Sequence, residues 1–130
     1  MRLLLDTHVL LWVQLEPERL PKSVRAALES PGCERFYSPL SVWEVDLLLR
    51  KRRLELAVDL PSWLAAVAAR GALREVPLST AIVLEASRME LAHGDPVDRF
   101  LAATAKLHGL TLVTADVQLR QRRDIAVLWS

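Results

Sequence analysis

Apolar residues fall into two kinds of stretch along this chain. In one kind they sit in short runs bounded by charged or turn-forming residues. In the other they recur with helical spacing over longer segments. Leu3–Leu5, Arg35–Ser38, Arg74–Pro77, Leu110–Val113 and Ile125–Leu128 are of the first kind and predict strands. The second kind predicts helices between them. Thr7 is placed to cap one that begins near His8, and Pro17 and Pro21 break the chain before another over Lys22–Glu29. Ser30-Pro31-Gly32 reads as a turn. A strong helix is predicted from Ser41 to about Arg52, with Val42, Val45, Leu48 and Leu49 apolar. Asp59-Leu60-Pro61 opens the next, which stops at Arg70-Gly71 with glycine in the usual stop position. Ser79 caps a helix running to about His93 ahead of Gly94, and Asp95-Pro96 opens one that ends at His108-Gly109. Asp116 starts a last short helix.

Strands alternating with helices predict an α/β fold in three layers, a parallel sheet of about five strands with helices on both faces. A chain of 130 residues is expected to form it as one domain, 1–130. In such sheets ligands bind beyond the carboxyl ends of the strands, where the strand order reverses. Asp6 follows the first strand directly, and Thr114-Ala115-Asp116 follows Leu110–Val113. Both are therefore expected at that edge.

Composition narrows the picture. Hydrophobic residues make up 52% and charged residues 25%, which marks a folded chain. The formal net charge is +1, so any surface that binds a polyanion must be local. Aromatic residues are only 5%, which argues against a flat base-stacking platform. Cys33 is the single cysteine, which excludes an internal disulfide and fits a reducing cytosol. Asp6 and His8 interrupt the leucines that would imitate an export signal, and Trp63–Ala69 is far too short to span a bilayer. The expectation is a soluble, cytoplasmic protein without a membrane segment.

The carboxylates carry the chemistry. Asp6 ends a strand that belongs in a core, where a charge is costly unless something holds it. It is a plausible helix cap, but Thr7 competes for that role. Ser41-Val42-Trp43-Glu44 fits a capping box, in which the glutamate reaches back to the cap amide. The same turn is equally able to present Glu44 to a cleft. Asp95, before Pro96, is a natural N-cap, whereas Asp98 falls one turn later beside the positive helix end. Behind Asp98, Phe100-Leu101-Ala102-Ala103-Thr104-Ala105 is a small-residue segment suited to close packing. Asp116 either caps the last helix, with Thr114 sharing that duty, or joins Asp6 and Asp98 at one sheet edge.

Carboxylates crowded at one edge repel, and some take up protons unless a cation neutralises them. A hard divalent ion such as Mg²⁺ or Mn²⁺ prefers oxygen ligands of this kind. His8, His93 and His108 form no zinc-spaced pair, and one cysteine makes no thiolate cage. An acidic Mg²⁺ or Mn²⁺ site is the expected reading.

The assembled residues resemble the PIN domain (PilT N-terminus), and most closely the VapC-type toxins of prokaryotic toxin–antitoxin pairs. Leu4-Leu5-Asp6-Thr7-His8-Val9-Leu10-Leu11-Trp12 is similar to the family's opening strand and first acid. Ser41–Glu44, Asp98–Ala105 and Val113–Asp116 are similar to its second, third and fourth motifs, in order and spacing, over essentially the whole chain. The resemblance implies a PIN-like α/β/α fold and a metal-dependent endoribonuclease. It implies a catalytic, metal-holding quartet of Asp6, Glu44, Asp98 and Asp116, with Thr7 and Thr114 as supporting hydroxyls. It also implies a small antitoxin protein whose tail occupies the cleft, and a homodimer. Many relatives carry a small residue where this chain has Arg99, and Asp95 adds a further carboxylate, as a cap, an outer partner or an extra ligand.

If RNA is the substrate, basic residues must guide it. The candidates are Arg50-Lys51-Arg52-Arg53, Arg99, which either contacts phosphate or pairs with Asp95, and Arg120, Arg122 and Arg123; a solvated face accounts for them equally well. The rival reading is a weak or inactive PIN scaffold that acts as a protein-interaction module, using segments around Trp12, Trp43 and Trp63. A phosphoacceptor domain is a distant third, because only one acid ends the first strand and no lysine follows the final one.

Overall fold

The computed structural model describes residues 1–89 and 95–130. Among these, five parallel strands form one sheet: β1 (Arg2–Leu5), β2 (Glu34–Tyr37), β3 (Leu73–Glu75), β4 (Thr111–Val113) and β5 (Ala126–Leu128). Their spatial order is β3-β2-β1-β4-β5. The chain thus winds outward from β1 to β3, then returns to the centre and winds the other way through β4 and β5. The reversal lies between β1 and β4, where Leu5 pairs with Val113.

The helices among the described residues are α1 (Thr7–Leu15), α2 (Lys22–Glu29), α3 (Pro39–Arg50), α4 (Leu60–Gly71), α5 (Thr80–Arg88), α6 (Pro96–His108) and α7 (Val117–Arg120). The side-chain alternation of a strand sorts them into two layers. Leu3 and Leu5 point to one face and pack with Val9 and Leu10 of α1, Val24 of α2, Val45 of α3 and Val67 of α4. Leu4 points to the other and packs with Ile82 of α5, Leu101 and Ala102 of α6, and Leu119 of α7. Leu3, Leu4 and Leu5 are all at most 1% exposed, so β1 is buried on both faces, as a central parallel strand should be. Truncating Leu4 to alanine is expected to cost about 2–5 kcal/mol. No helix among the described residues is long and apolar enough to cross a membrane.

Several helix boundaries differ from the sequence expectation, each for a local reason. The first helix begins at Thr7, not His8, because Asp6 is its cap and Thr7 is its first turn. The third begins at Pro39, not Ser41, because proline suits a first helical position and the Ser38 hydroxyl accepts from the Leu40 N–H at 3.2 Å. The predicted capping box at Ser41 is therefore not formed. The helix expected to reach His93 ends at Arg88, with Met89 extended as its C-cap; His93 itself lies outside the described residues. At the end of α4 the left-handed position falls to Ala72 (φ 49°), one residue beyond Gly71.

Candidate active site

Asp6 stands where β1 gives way to α1, at the reversal of strand order. Its backbone N–H donates to the Val113 carbonyl at 3.1 Å, which ties the exit of β1 to the end of β4. One carboxylate oxygen, Oδ1, accepts from the Val9 N–H at 2.9 Å and so caps α1. Burial pushes the Asp6 carboxyl above its ordinary range. The Thr114 hydroxyl, the Val9 N–H and His8 counteract this, and the nearby Asp116 adds to it.

Glu44 lies in the second turn of α3 and reaches across to α1, where the Thr7 hydroxyl donates to its Oε1. Burial raises its carboxyl, the Thr7 bond lowers it, and repulsion from Asp95 and Asp6 raises it again. Thr7 is only 4% exposed, which makes it a buried strut between two helices. Ser41 has shed the capping role expected of it and is fully buried at 0%.

Asp95 and Asp116 are both caps. Asp95 Oδ1 accepts from the Val97 N–H at 3.0 Å at the head of α6. Asp116 Oδ1 accepts from the Leu119 N–H at 3.0 Å at the head of α7, while its own N–H donates to the Thr114 hydroxyl at 3.1 Å. Capping and site membership are therefore not alternatives here, because each cap commits one oxygen to the helix and leaves the other. Asp98 sits in the first turn of α6 and caps nothing. Burial drives its carboxyl up to about 7, with repulsion from Asp95, Asp116, Glu44 and Asp6 acting in the same direction.

Those same five carboxylates line one cavity of about 330 Å³, together with Thr7, His8, Trp12, Leu101 and Ala115. Among the described residues, no lysine or arginine lines it. Five carboxylates with no lysine or arginine beside them among the described residues suit a hard divalent ion, which prefers oxygen ligands. Among the described residues, however, no three His, Cys, Asp or Glu side chains already stand gathered closely enough to hold one.

The basic candidates divide. Lys51 and Arg53 line a smaller pocket of about 140 Å³ that shares Thr7, His8 and Glu44 with the acidic cavity. They are brought there by the end of α3. The Arg52 N–H donates to the Leu49 carbonyl at 3.1 Å and the Arg53 N–H to the Leu48 carbonyl at 2.9 Å, with Arg52 left-handed at φ 56°. Arg50 donates instead to Asp46 at 2.7 Å on the exposed side of the helix. Arg99 lies with Ala86, Ser87 and Phe100 in a separate pocket and forms no ion pair with Asp95 among the described residues. Arg122 is paired with Asp124 at 2.7 Å, and neither Arg120 nor Arg123 lines the acidic cavity. Two cavity residues had other readings in the sequence: His8 as a zinc ligand to be rejected, and Trp12 as core or interface. Their four-residue spacing on the helix that Asp6 caps was the available signal.

An open α/β/α sheet with clustered acids at its switch point defines the class. The model of the PIN domain matches residues 3–125, and the chain belongs to that family. It is 36% identical over 121 residues to Ribonuclease VapC22 of Mycobacterium tuberculosis, spanning 92% of this chain and 91% of that protein. Its fold is similar to that in a crystal structure of VapBC2 from Rickettsia felis bound to a promoter DNA fragment, with a TM-score of 0.70 at 16% identity and full coverage of both chains. It is also similar to that in a toxin–antitoxin complex from Klebsiella pneumoniae, with a TM-score of 0.65 at 20% identity over 96% of this chain and 94% of that one.

Proposed function

We propose that the protein is a metal-dependent endoribonuclease and the toxin of a VapBC-like, type II toxin–antitoxin pair. One observation carries the reading: five carboxylates from four separate helix starts and turns border a single cavity that, among the described residues, no lysine or arginine lines. Membership of the PIN family and the likeness to a protein named ribonuclease VapC22 support it. Asp6, Glu44, Asp98 and Asp116 would hold Mg²⁺ or Mn²⁺, with Asp95 beside them. When bound, such an ion activates water and neutralises charge developing on a phosphodiester.

The chain's own residues do the rest. Thr7 fixes the rotamer of Glu44, and Thr114 faces Asp6 while holding the Asp116 backbone. Lys51 and Arg53 attract the phosphates that the acids alone would repel. In this reading the protein works in the cytoplasm on RNA, pairs as a homodimer and is silenced by a small antitoxin. The similarity to solved toxin–antitoxin complexes supports the last of these.

The test is cleavage of single-stranded RNA by the purified protein with Mg²⁺, Mn²⁺ or chelator. Cleavage should need the ion and fall about a hundred-fold or more in Asp6→Asn and Asp98→Asn. Equal cleavage by those variants overturns the reading. A second reading is an interaction scaffold without catalysis, since among the described residues no three acids stand close enough to hold an ion. Calorimetric titration separates the two, because a scaffold takes up neither Mg²⁺ nor Mn²⁺.

A further inference from the structure

We infer that His8 reads the 2′-hydroxyl of one ribose of the bound strand, the ribose between a phosphate in the acidic cavity and the next phosphate beside Lys51 and Arg53. This rests on the ribonuclease reading and deepens it, from cleavage of a phosphodiester to the choice of RNA over DNA. His8 is the second residue of α1, and it is exposed. It lines the acidic cavity, the smaller pocket that holds Lys51 and Arg53, and a neighbouring groove of about 440 Å³. Among the described residues no other lines all three.

Successive phosphates of one strand are separated by a ribose. With the acids and their ion on the first phosphate and the basic pocket on the second, the sugar lies over the residues that both cavities share. Those are Thr7, His8 and Glu44. Two of them are already engaged, because the Thr7 hydroxyl donates to Glu44 and the Glu44 carboxylate belongs to the acid set. The imidazole of His8 is not. Among the described residues neither of its nitrogens has a hydrogen-bond or ion-pair partner. Its ring lies against Trp12, with centroids 5.7 Å apart and planes tilted by 47°, a contact that steadies the ring and consumes no donor. Trp12 is backed in turn by Arg19 and Trp129.

An imidazole suits a hydroxyl. Neutral, it carries one donor and one acceptor nitrogen; protonated, it carries two donors. A hydroxyl both donates and accepts, so the bond forms in either state. The 2′-hydroxyl is the group by which a protein tells RNA from DNA at a given position. A phosphate oxygen is the poorer occupant, since Lys51 and Arg53 offer it a full charge nearby and Glu44 lines the same pocket to repel it.

The probe is a short labelled RNA with a single cut site, prepared as a set in which one 2′-deoxy nucleotide is moved along the strand. With the wild-type protein and Mg²⁺, the deoxy nucleotide at one position beside the cut should lower kcat/KM about five- to ten-fold, as expected for one hydrogen bond. At other positions it should matter much less. His8→Ala should lose the same factor on all-ribose RNA and become indifferent to the deoxy nucleotide at that position. His8→Gln, which keeps a donor and an acceptor on a side chain of similar reach, should keep the discrimination. Equilibrium binding of the set, read by fluorescence anisotropy in the Asp98→Asn background, should show the same pattern. If wild type cleaves yet treats every deoxy position alike, the contact is overturned and the ribonuclease reading stands. If wild type cleaves nothing while binding still weakens at one position, and His8→Ala removes that effect, the ribonuclease reading falls and the contact stands. Discrimination that persists undiminished in His8→Ala assigns the hydroxyl to another group and overturns the proposal. So does a His8→Ala protein that weakens equally on every member of the set and still discriminates, because the imidazole then serves a phosphate.

Discussion

The backbone N–H of Asp6 donates to the carbonyl of Val113 at 3.1 Å, bridging residues that stand at opposite ends of the chain. That bond closes the gap between β1 and β4 where the strand order reverses, and it sets the first acid of the site beside the loop that carries Asp116. Asp6 thereby does two jobs with one side chain: Oδ1 caps α1 through the Val9 N–H, and the carboxylate faces the cavity.

The two jobs separate by substitution. Asp6→Asn keeps an oxygen for the cap and removes a buried charge, so stability without metal should hold or rise while activity falls by about a hundred-fold or more. Asp6→Ala should lose the same activity and about 1 kcal/mol of stability from the missing cap. Thermal melts in chelator beside RNA cleavage rates check the pair. Equal melting temperatures for the two variants would remove the capping role.

Thr7 supplies a second separation. Its buried hydroxyl holds Glu44 across the α1–α3 boundary. Thr7→Val preserves shape and removes the donor, so affinity for Mg²⁺ or Mn²⁺ and cleavage should each fall about ten-fold, with Thr7→Ser restoring both. Isothermal titration on the three proteins decides it, and an unchanged metal affinity in Thr7→Val would leave the strut without a role at the site.

Asp98 predicts how stability responds to pH. Its folded carboxyl titrates near 7, well above the ordinary 3.8, because burial and the other acids disfavour its charge. Between those values the folded protein holds a proton that the unfolded chain has released. Stability in chelator should therefore fall as pH rises through that window, the reverse of a carboxylate stabilised by an ion pair. For a group about half buried, solvent screening cuts the effect to on the order of 1–2 kcal/mol. Mg²⁺ should flatten the slope, and Asp98→Asn should remove this contribution without metal. Melting temperatures from pH 4 to pH 8 with and without the ion provide the check.

Much of this was readable beforehand. The uninterrupted apolar run Leu3–Leu5 announced a strand that belongs in the core, and the helix over Lys22–Glu29 has the bounds its flanking prolines and turn predict. The acids at strand ends and helix starts were visible as well. What local pattern could not supply was the choice among competing caps. Ser38, Pro39 and Ser41 all carry start signals, and the choice rests on which residue the sheet edge leaves free. The same holds for Asp6 and Thr7, where α3 decides by drawing the Thr7 hydroxyl to Glu44. Proximity across sequence was likewise hidden. Arg50 and Arg53 belong to one basic run, yet one binds Asp46 and the other turns back beside the acidic cavity.

Arg52 accounts for that turn and carries a prediction of its own. It closes α3 in the left-handed region at φ 56°, a conformation that costs a residue with a Cβ roughly 1 kcal/mol and costs glycine little. Arg52→Gly should raise stability by about 0.5–1 kcal/mol, read by urea denaturation. A loss of stability would mean that the arginine side chain contributes more than its backbone strain removes.

The basic run gives the last expectation. Arg53 borders the pocket that shares Thr7, His8 and Glu44 with the acids, whereas Arg99 occupies a separate pocket with Ala86, Ser87 and Phe100. If Arg53 meets a phosphate, Arg53→Ala should reduce the dependence of log Kd on log salt by about 0.7, the increment for one contact to a single strand. Arg99→Ala should leave that slope alone, because its pocket does not open on the carboxylates. Ionic strength distinguishes these outcomes better than affinity at one condition does, since a variant that merely loosens α3 weakens binding without changing the number of counterions released. A slope that falls for Arg99→Ala and not for Arg53→Ala would move the strand to the opposite side of the site, toward α5 and α6.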